Sequence, residues 1–360
     1  MKRIIDIISP GTFRFLLAFI VVIYHAVSFL TIGHFAVYVF FVLSGYWIVK
    51  MFTEKYSKFR NPVRTYLISR IWRIFPVYLA ILGFTLLIYF SFNALYLKQI
   101  EHSLVNNEFT SLLISNIFVL FNNVVNHNWL IVPAWSLDVE LQFYVFAPIL
   151  YYLFTKVKPY YLFIFSIISS FLILYFNIGL LITNNILIYL LYFLLGVIVY
   201  KQNIRTTYQW ATASGTLVIA ILGLHYLIPE LKTLLFGDYA ILGVFKYQEF
   251  VNFLLTVAIL PFVIYNIKSG KHNKKIDGLL SSMSFSLYLI HWPILTIYSL
   301  WAANNSGLTK FFLFLGYVSI SVLGSFFISK YFDGLMEKDR RQWLKKRKTT
   351  EFTQVITNEN

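Results

Sequence analysis

Apolar stretches of about 20 residues recur from one end of this 360-residue chain to the other. A helix rising about 1.5 Å per residue needs that length to cross a hydrocarbon core of roughly 30 Å. The stretches fall at 12–30, 34–52, 74–92, 134–154, 160–178, 183–200, 209–228, 248–267, 280–301 and 310–330. Only 12% of the residues are charged and 59% are hydrophobic, against roughly 25% charged in soluble domains. A soluble core cannot hide so much apolar surface, so the bilayer is the expected solvent. The expected fold is all-α: a polytopic transmembrane helical bundle of about ten spans, with both termini cytoplasmic.

The basic residues test that topology, because short cytoplasmic loops collect Lys and Arg. With the N-terminus inside, the inner segments hold 25 Lys and Arg, from Lys2 to Lys348. The outer ones hold Lys98, Lys232, Lys246 and Lys310, and Arg14 lies within a span. A one-helix error would mix the two sets. Confinement of the charge to short loops also accounts for the net charge of +15 without nucleic acid as a partner. The start resembles a signal peptide, but Arg14 and His25 interrupt its apolar run and no small-residue cleavage site follows. It reads as a retained first span.

Several classes of chemistry drop out. The chain has no cysteine, which removes disulfides and thiolate nucleophiles. No His or acid pair has metal-ligand spacing on one helix, and His102 and His127 lie in a long loop without such partners. In that outer loop, about 93–133, the apolar stretch 110–121 is too short to cross and reads as re-entrant or interfacial. No internal repeat is evident, which counts against an inverted-repeat transporter. The expected division is a transmembrane domain over 1–332 and a basic cytoplasmic tail over 333–360 that lies on the membrane surface and then frays.

Ionisable groups inside spans are costly unless paired or hydrated, and so mark function. They are Arg14, His25, Glu140 and His291, with Asp138 and His34 nearer the outer edge. At about 1.5 Å per residue, His25 lies roughly 8 Å and Glu140 roughly 9 Å below the outer face. If their helices are neighbours, the carboxylate can orient and activate the imidazole as a general base. Arg14 lies roughly 16 Å from His25 toward the cytoplasm on the same helix. Arg70 and Arg73, three residues apart, bracket the inner mouth of the third span. A basic entrance leading toward a buried imidazole suits an anionic donor with a long thin arm, as in acyl-coenzyme A, whose phosphates would meet arginines.

Five segments carry a family resemblance. They are FRFLLAFIVVIYHA (13–26, with Arg14 and His25) and AVYVFFVLSGYWI (36–48, with Phe40, Phe41, Ser44 and Gly45). SRIWRIFPVY (69–78) follows, with Arg70, Arg73 and Pro76. PAWSLDVELQFYVFAP (133–148) holds Trp135, Ser136, Glu140, Phe143 and Tyr144, and SFSLYLIHWP (284–293) holds Ser286, Tyr288, Leu289 and His291. In this order they resemble the motifs of acyltransferase family 3, bacterial membrane enzymes that O-acylate cell-surface glycans. The resemblance implies His25 as the catalytic residue and the arginines of the first and third spans as donor contacts. It departs at Tyr38, where many members carry Asp. The family's acid after the last span has two candidates here, Asp333 and Glu337, and the C-terminal hydrolase-like domain of some relatives is missing.

The expected function is therefore a membrane O-acyltransferase of the bacterial inner membrane. It would move an acetyl or other short acyl group from cytoplasmic acyl-CoA, a co-substrate and not a bound cofactor. The acceptor would be a hydroxyl of an envelope polysaccharide or lipid-linked glycan. His25 acts either as a base toward the sugar hydroxyl or as an acyl-imidazole carrier, and Glu140 orients it or moves its proton. Ser136, Tyr38 and His291 are candidates for substrate contact or structural roles, and Trp135, Phe143 and Tyr144 read as an aromatic belt. The competing class is a transporter or flippase for a glycan or lipid intermediate, which forms no bond.

Overall fold

The computed structural model describes residues 8–27, 32–92, 106, 108–176, 184–228, 230, 240–241, 245–268 and 273–358. Lys2, Arg3, Lys98, His102, Lys232 and Lys271 lie outside the described residues. The described chain is helical apart from two paired two-residue strands at 240–241 and 245–246. Its helices are α1 (Pro10–Ala26), α2 (Gly33–Glu54), α3 (Pro62–Phe92), α4 (Phe109–Phe118), α5 (Asn122–Val125), α6 (Ala134–Lys156) and α7 (Pro159–Tyr175). They continue with α8 (Ile186–Lys201), α9 (Tyr208–Leu227), α10 (Tyr247–Lys268), α11 (Lys274–Ala302), α12 (Gly307–Phe327) and α13 (Gly334–Asn358).

Among the described residues, α2, α3, α6, α10, α11 and α12 are long and apolar enough to cross a membrane. The other four expected spans coincide with α1, α7, α8 and α9, of 17, 17, 16 and 20 residues. The stretch 110–121 forms the ten-residue α4, too short to cross, as its length in the sequence implied. The helices group into two compact units, one of Met1–Tyr46 with Lys158–Phe285, the other of Trp47–Val157 with Ser286–Asn360.

In the first unit, hydrogen bonds gather helix ends. Ser9 caps α1, its Oγ accepting from the Thr12 amide at 3.1 Å, and Pro10 suits a first helical turn that needs no N–H. The Gly11 amide donates to Asp277 Oδ1 at 2.6 Å, placing a carboxylate on the positive end of α1. The Asn266 side chain donates to the Ile8 carbonyl. Lys268 Nζ donates to Asn203 Oδ1 at 2.9 Å and to the Ile204 carbonyl at 2.6 Å. The starts of α1 and α11 and the ends of α8 and α10 therefore share one end of this unit. Lys201, Lys268, Lys274 and Lys275, which the charge count assigned to one side, are all there.

Within the same unit α2 and α8 touch backbone to backbone. A Cβ at Gly45 would collide with the Phe193 carbonyl, and one at Gly196 with the Val42 carbonyl and the Tyr46 amide. Small residues let helices without a hydrophobic drive between them gain close van der Waals contact. Phe41 stacks on Phe193 beside this seam, with ring centroids 4.7 Å apart. Gly45, singled out in the sequence, is thus explained by packing.

In the second unit two expectations need adjusting. Helix α3 begins at Pro62, twelve residues before the apolar span, so Arg70 sits inside a helix rather than at its mouth. The basic tail does not fray at once but continues as α13 to Asn358, joined to α12 by a π-helical turn, Ile328–Asp333. Docking explains its order. Arg340, 6% exposed, donates from Nη1 to Ser69 Oγ at 2.5 Å, and Ser69 Oγ lies 2.7 Å from the Tyr56 hydroxyl. Trp72 and Trp343 bring their rings to 5.8 Å. Glu337 accepts from Arg340 through both carboxylate oxygens and from Arg341, each at 2.7 Å. Burial alone would raise the Glu337 carboxyl, but the Arg340 bonds and charge, helped by Arg341 and Arg73, bring it down to about 2.

Candidate functional site

The first unit contains Arg14, His25 and Tyr38. Arg14 and His25 lie eleven residues apart on α1 and are both half-buried. His25 falls in the last turn of α1. Its ring meets that of Tyr24 edge-on, with centroids 5.0 Å apart, and Tyr24 lies 6.3 Å from the ring of His34. Two imidazoles thus flank one phenol.

Tyr38 is buried, 3% exposed. Its ring stacks on Tyr192 at 4.2 Å and lies 5.8 Å from Tyr189. Its hydroxyl donates to Glu249 Oε2, and the other oxygen of that carboxylate lies 2.6 Å from His34 Nδ1. Glu249 was not singled out in the sequence. It stands at the first turn of an apolar stretch, more than 200 residues from its partners, and no local spacing signals the contact.

The second unit holds Arg70, Arg73, Ser136, Glu140 and His291. Arg70 is 6% exposed, and its guanidinium faces the rings of Tyr66, Tyr144 and Tyr56 at 5.6, 5.7 and 5.8 Å. Aromatic faces stabilise a cation that cannot lose its proton. Arg70 Nε nevertheless has no hydrogen-bond partner among the described residues, and neither does the hydroxyl of the fully buried Tyr66. Buried donors left unsatisfied are uncommon and mark a place for a ligand or water. Arg73, one turn on, is exposed.

Glu140 accepts from the Tyr144 hydroxyl at 2.5 Å, so carboxylate, phenol and guanidinium form a chain from Glu140 through Tyr144 to Arg70. His25 and Glu140, which the sequence reading paired, belong to different units; within its own unit Glu140 is held by Tyr144. Tyr144, expected in an aromatic belt, is instead the link between the two charges.

Two sequence motifs meet in this unit. The hydroxyls of Ser136 and Tyr288 lie 2.7 Å apart and each lies 3.1 Å from the Pro133 carbonyl, so that one hydroxyl donates to the carbonyl and the other to its neighbour. That cluster ties α11 to the start of α6 and accounts for Ser136 structurally. His291, fully buried, donates from Nδ1 to the Leu287 carbonyl of its own helix at 3.0 Å. Asp138, also fully buried, accepts from the Phe121 and Asn123 amides at 2.7 and 2.8 Å and from Gln142 Nε2 at 2.9 Å. It holds a loop in which Val119 and Phe121 take positive φ, a conformation such side chains rarely adopt. No group of three or more His, Cys, Asp or Glu suited to a metal occurs among the described residues.

Apolar helices of membrane-crossing length, carrying a buried cation and an in-helix histidine, define a membrane protein with chemistry among its helices. The chain belongs to acyltransferase family 3: the family model, an acyltransferase domain, matches residues 7–330, nearly the whole length. The comparisons with curated proteins and with solved structures returned no match.

Proposed function

We propose that this acyltransferase moves an acetyl or other short acyl group from acyl-CoA to a hydroxyl of an envelope glycan, free or lipid-linked, at the bacterial inner membrane. The single observation that carries the reading is Arg70. A guanidinium buried among three tyrosines, with Nε and the Tyr66 hydroxyl unmatched, suits an anionic group of the donor. Arg14 and Arg73 supply further positive charge for the phosphates, and the charge asymmetry supports ten spans with both termini and Arg73 on the cytoplasmic side.

In this reading His25 takes the proton of the acceptor hydroxyl as its oxygen attacks the thioester carbonyl. The C–S bond then breaks, and the coenzyme A thiolate leaves and takes up a proton. An acyl-imidazole on His25 divides the same transfer into two steps. Glu140 serves as the proton-handling acid of the reaction, and its bond to Tyr144 is the contact through which it responds to Arg70.

Membranes carrying the wild-type chain are expected to consume acetyl-CoA when envelope glycan is added, leaving a base-labile ester on the glycan by mass spectrometry. His25→Ala, present in the membrane at normal level, is expected to leave none. An ester retained by His25→Ala would make His25 structural. No thioester loss with any acceptor would favour glycan or lipid transport.

A further inference from the structure

His34 opens α2 and Glu249 stands in the first turn of α10, 215 positions apart in the chain. A pair at two helix starts could serve only to join α2 to α10. Three observations go beyond joining. First, the carboxylate is held from both sides, by His34 Nδ1 at one oxygen and by the buried Tyr38 hydroxyl at the other. Tyr38 is itself fixed by its stack on Tyr192, so the carboxylate is placed by a rigid aromatic wall. Second, the imidazole and the carboxylate are only partly covered, their side chains 37% and 33% exposed. Third, the Tyr24 ring lies against both histidines, 6.3 Å from that of His34 and 5.0 Å from that of His25.

A carboxylate accepts and does not donate, so Nδ1 of His34 carries a proton in its bond to Glu249, and Nε2 is the other hydrogen-bonding nitrogen of the ring. A carboxylate fixing one ring nitrogen is how an imidazole is held ready to receive a hydroxyl proton or hydrogen bond. A partly open carboxylate and imidazole beside tyrosine rings also match the chemistry that recognises a polyhydroxylated ligand.

We propose that His34, positioned by Glu249 and Tyr38, is the acceptor-binding residue of this enzyme. Its Nε2 accepts a hydrogen bond from a hydroxyl of a sugar whose reacting hydroxyl is presented to His25. The proposal rests on the acyltransferase reading and adds to it the residues that select the acceptor. Glu249 acts through His34 and is a positioning residue.

The test measures acetyl-CoA consumption over a concentration series of envelope glycan stripped of esters by mild base. Glu249→Gln, Tyr38→Phe and His34→Ala are compared with wild type, together with the slow hydrolysis of acetyl-CoA without glycan. Loss of the oriented hydrogen bond is expected to raise the apparent KM for glycan about tenfold, the equivalent of ~1.4 kcal/mol, in His34→Ala and Glu249→Gln. In Glu249→Gln, which alters only the positioning residue, the glycan-free hydrolysis stays near wild type. Tyr38→Phe, which keeps the aromatic stack, is expected to raise KM less. Glu249→Asp is expected to recover part of the affinity that Glu249→Gln loses. An unchanged KM in both Glu249→Gln and His34→Ala overturns the proposal. So does a parallel fall in glycan-free hydrolysis, which marks a packing role. A wild-type protein that consumes no thioester fails the underlying reading before any variant is compared.

Discussion

The guanidinium of Arg70 lies 5.7 Å from the ring of Tyr144, whose hydroxyl is held by Glu140. One tyrosine thus stands between a carboxylate that the sequence marked as costly within a span and a guanidinium that it placed at the inner mouth of the third span. Among the described residues the charge of Arg70 is faced by three aromatic rings and no direct ion pair, and its Nε–H has no partner.

If that vacancy in hydrogen bonding belongs to the donor, Arg70→Lys should behave as a poor substitute. Lysine keeps the charge but loses the planar fork and the ring stacking. A charge-assisted hydrogen bond contributes about 1.5–3 kcal/mol, so the apparent KM for acetyl-CoA should rise roughly ten- to hundredfold. The amount of folded protein should change little. A donor KM equal to wild type would assign Arg70 to structure alone.

The seam between α2 and α8 gives a stability prediction. Gly45→Ala and Gly196→Ala each force a methyl into a neighbouring backbone, and overpacking costs about 1–3 kcal/mol where the structure can shift. Each variant should melt at lower temperature in detergent. The double variant should lose less than the sum, because one separation of the helices relieves both clashes. Exact additivity would show that the two clashes relax independently.

Asp138 is expected to matter for the loop it holds and not for chemistry. Asp138→Asn keeps the size but replaces one accepting oxygen by an amide donor, leaving one buried backbone N–H of Phe121 or Asn123 unmatched. That costs about 1–3 kcal/mol. Lower thermal stability with an unchanged rate per folded molecule is the expected result, and a selective loss of rate would contradict it.

The docking of α13 should depend on acid. The Glu337 carboxyl is held at about 2, below its ordinary 4.5. A group depressed on folding contributes stability that is complete above the unfolded value and fades as pH falls through the folded one. The Glu337 contribution should therefore persist above pH 4.5 and vanish toward pH 2. The Trp72–Trp343 ring pair offers a near-ultraviolet circular dichroism signal for docking. Glu337→Gln should weaken that signal at neutral pH and remove this part of its acid dependence.

Much of the architecture was legible because apolar length and helix rise are local properties. Among the described residues each of the ten apolar stretches overlaps a helix, and α4 is as short as the length of its stretch implied. The start of α3 at Pro62 was hidden because Arg64, Arg70 and Arg73 make its first three turns look like a loop. Tyrosine faces allow that polar turn to be helical and partly buried, and tyrosines 66 and 144 meet Arg70 only after folding. The helical tail was hidden for a similar reason: its order comes from Arg340 reaching Ser69, 271 positions away.

The sequence by itself determined the class of solvent, the helices and the short set of charged residues that are costly within them, since transfer of apolar and charged groups depends on their chemistry alone. Only the tertiary structure decided what each charge touches: Tyr144 beside Glu140, three phenols around Arg70, and Glu249 bound to His34 and Tyr38. Hydrogen bonds and ring contacts act over a few ångströms, and which side chains come that close is set by helix packing between segments that are remote in the chain.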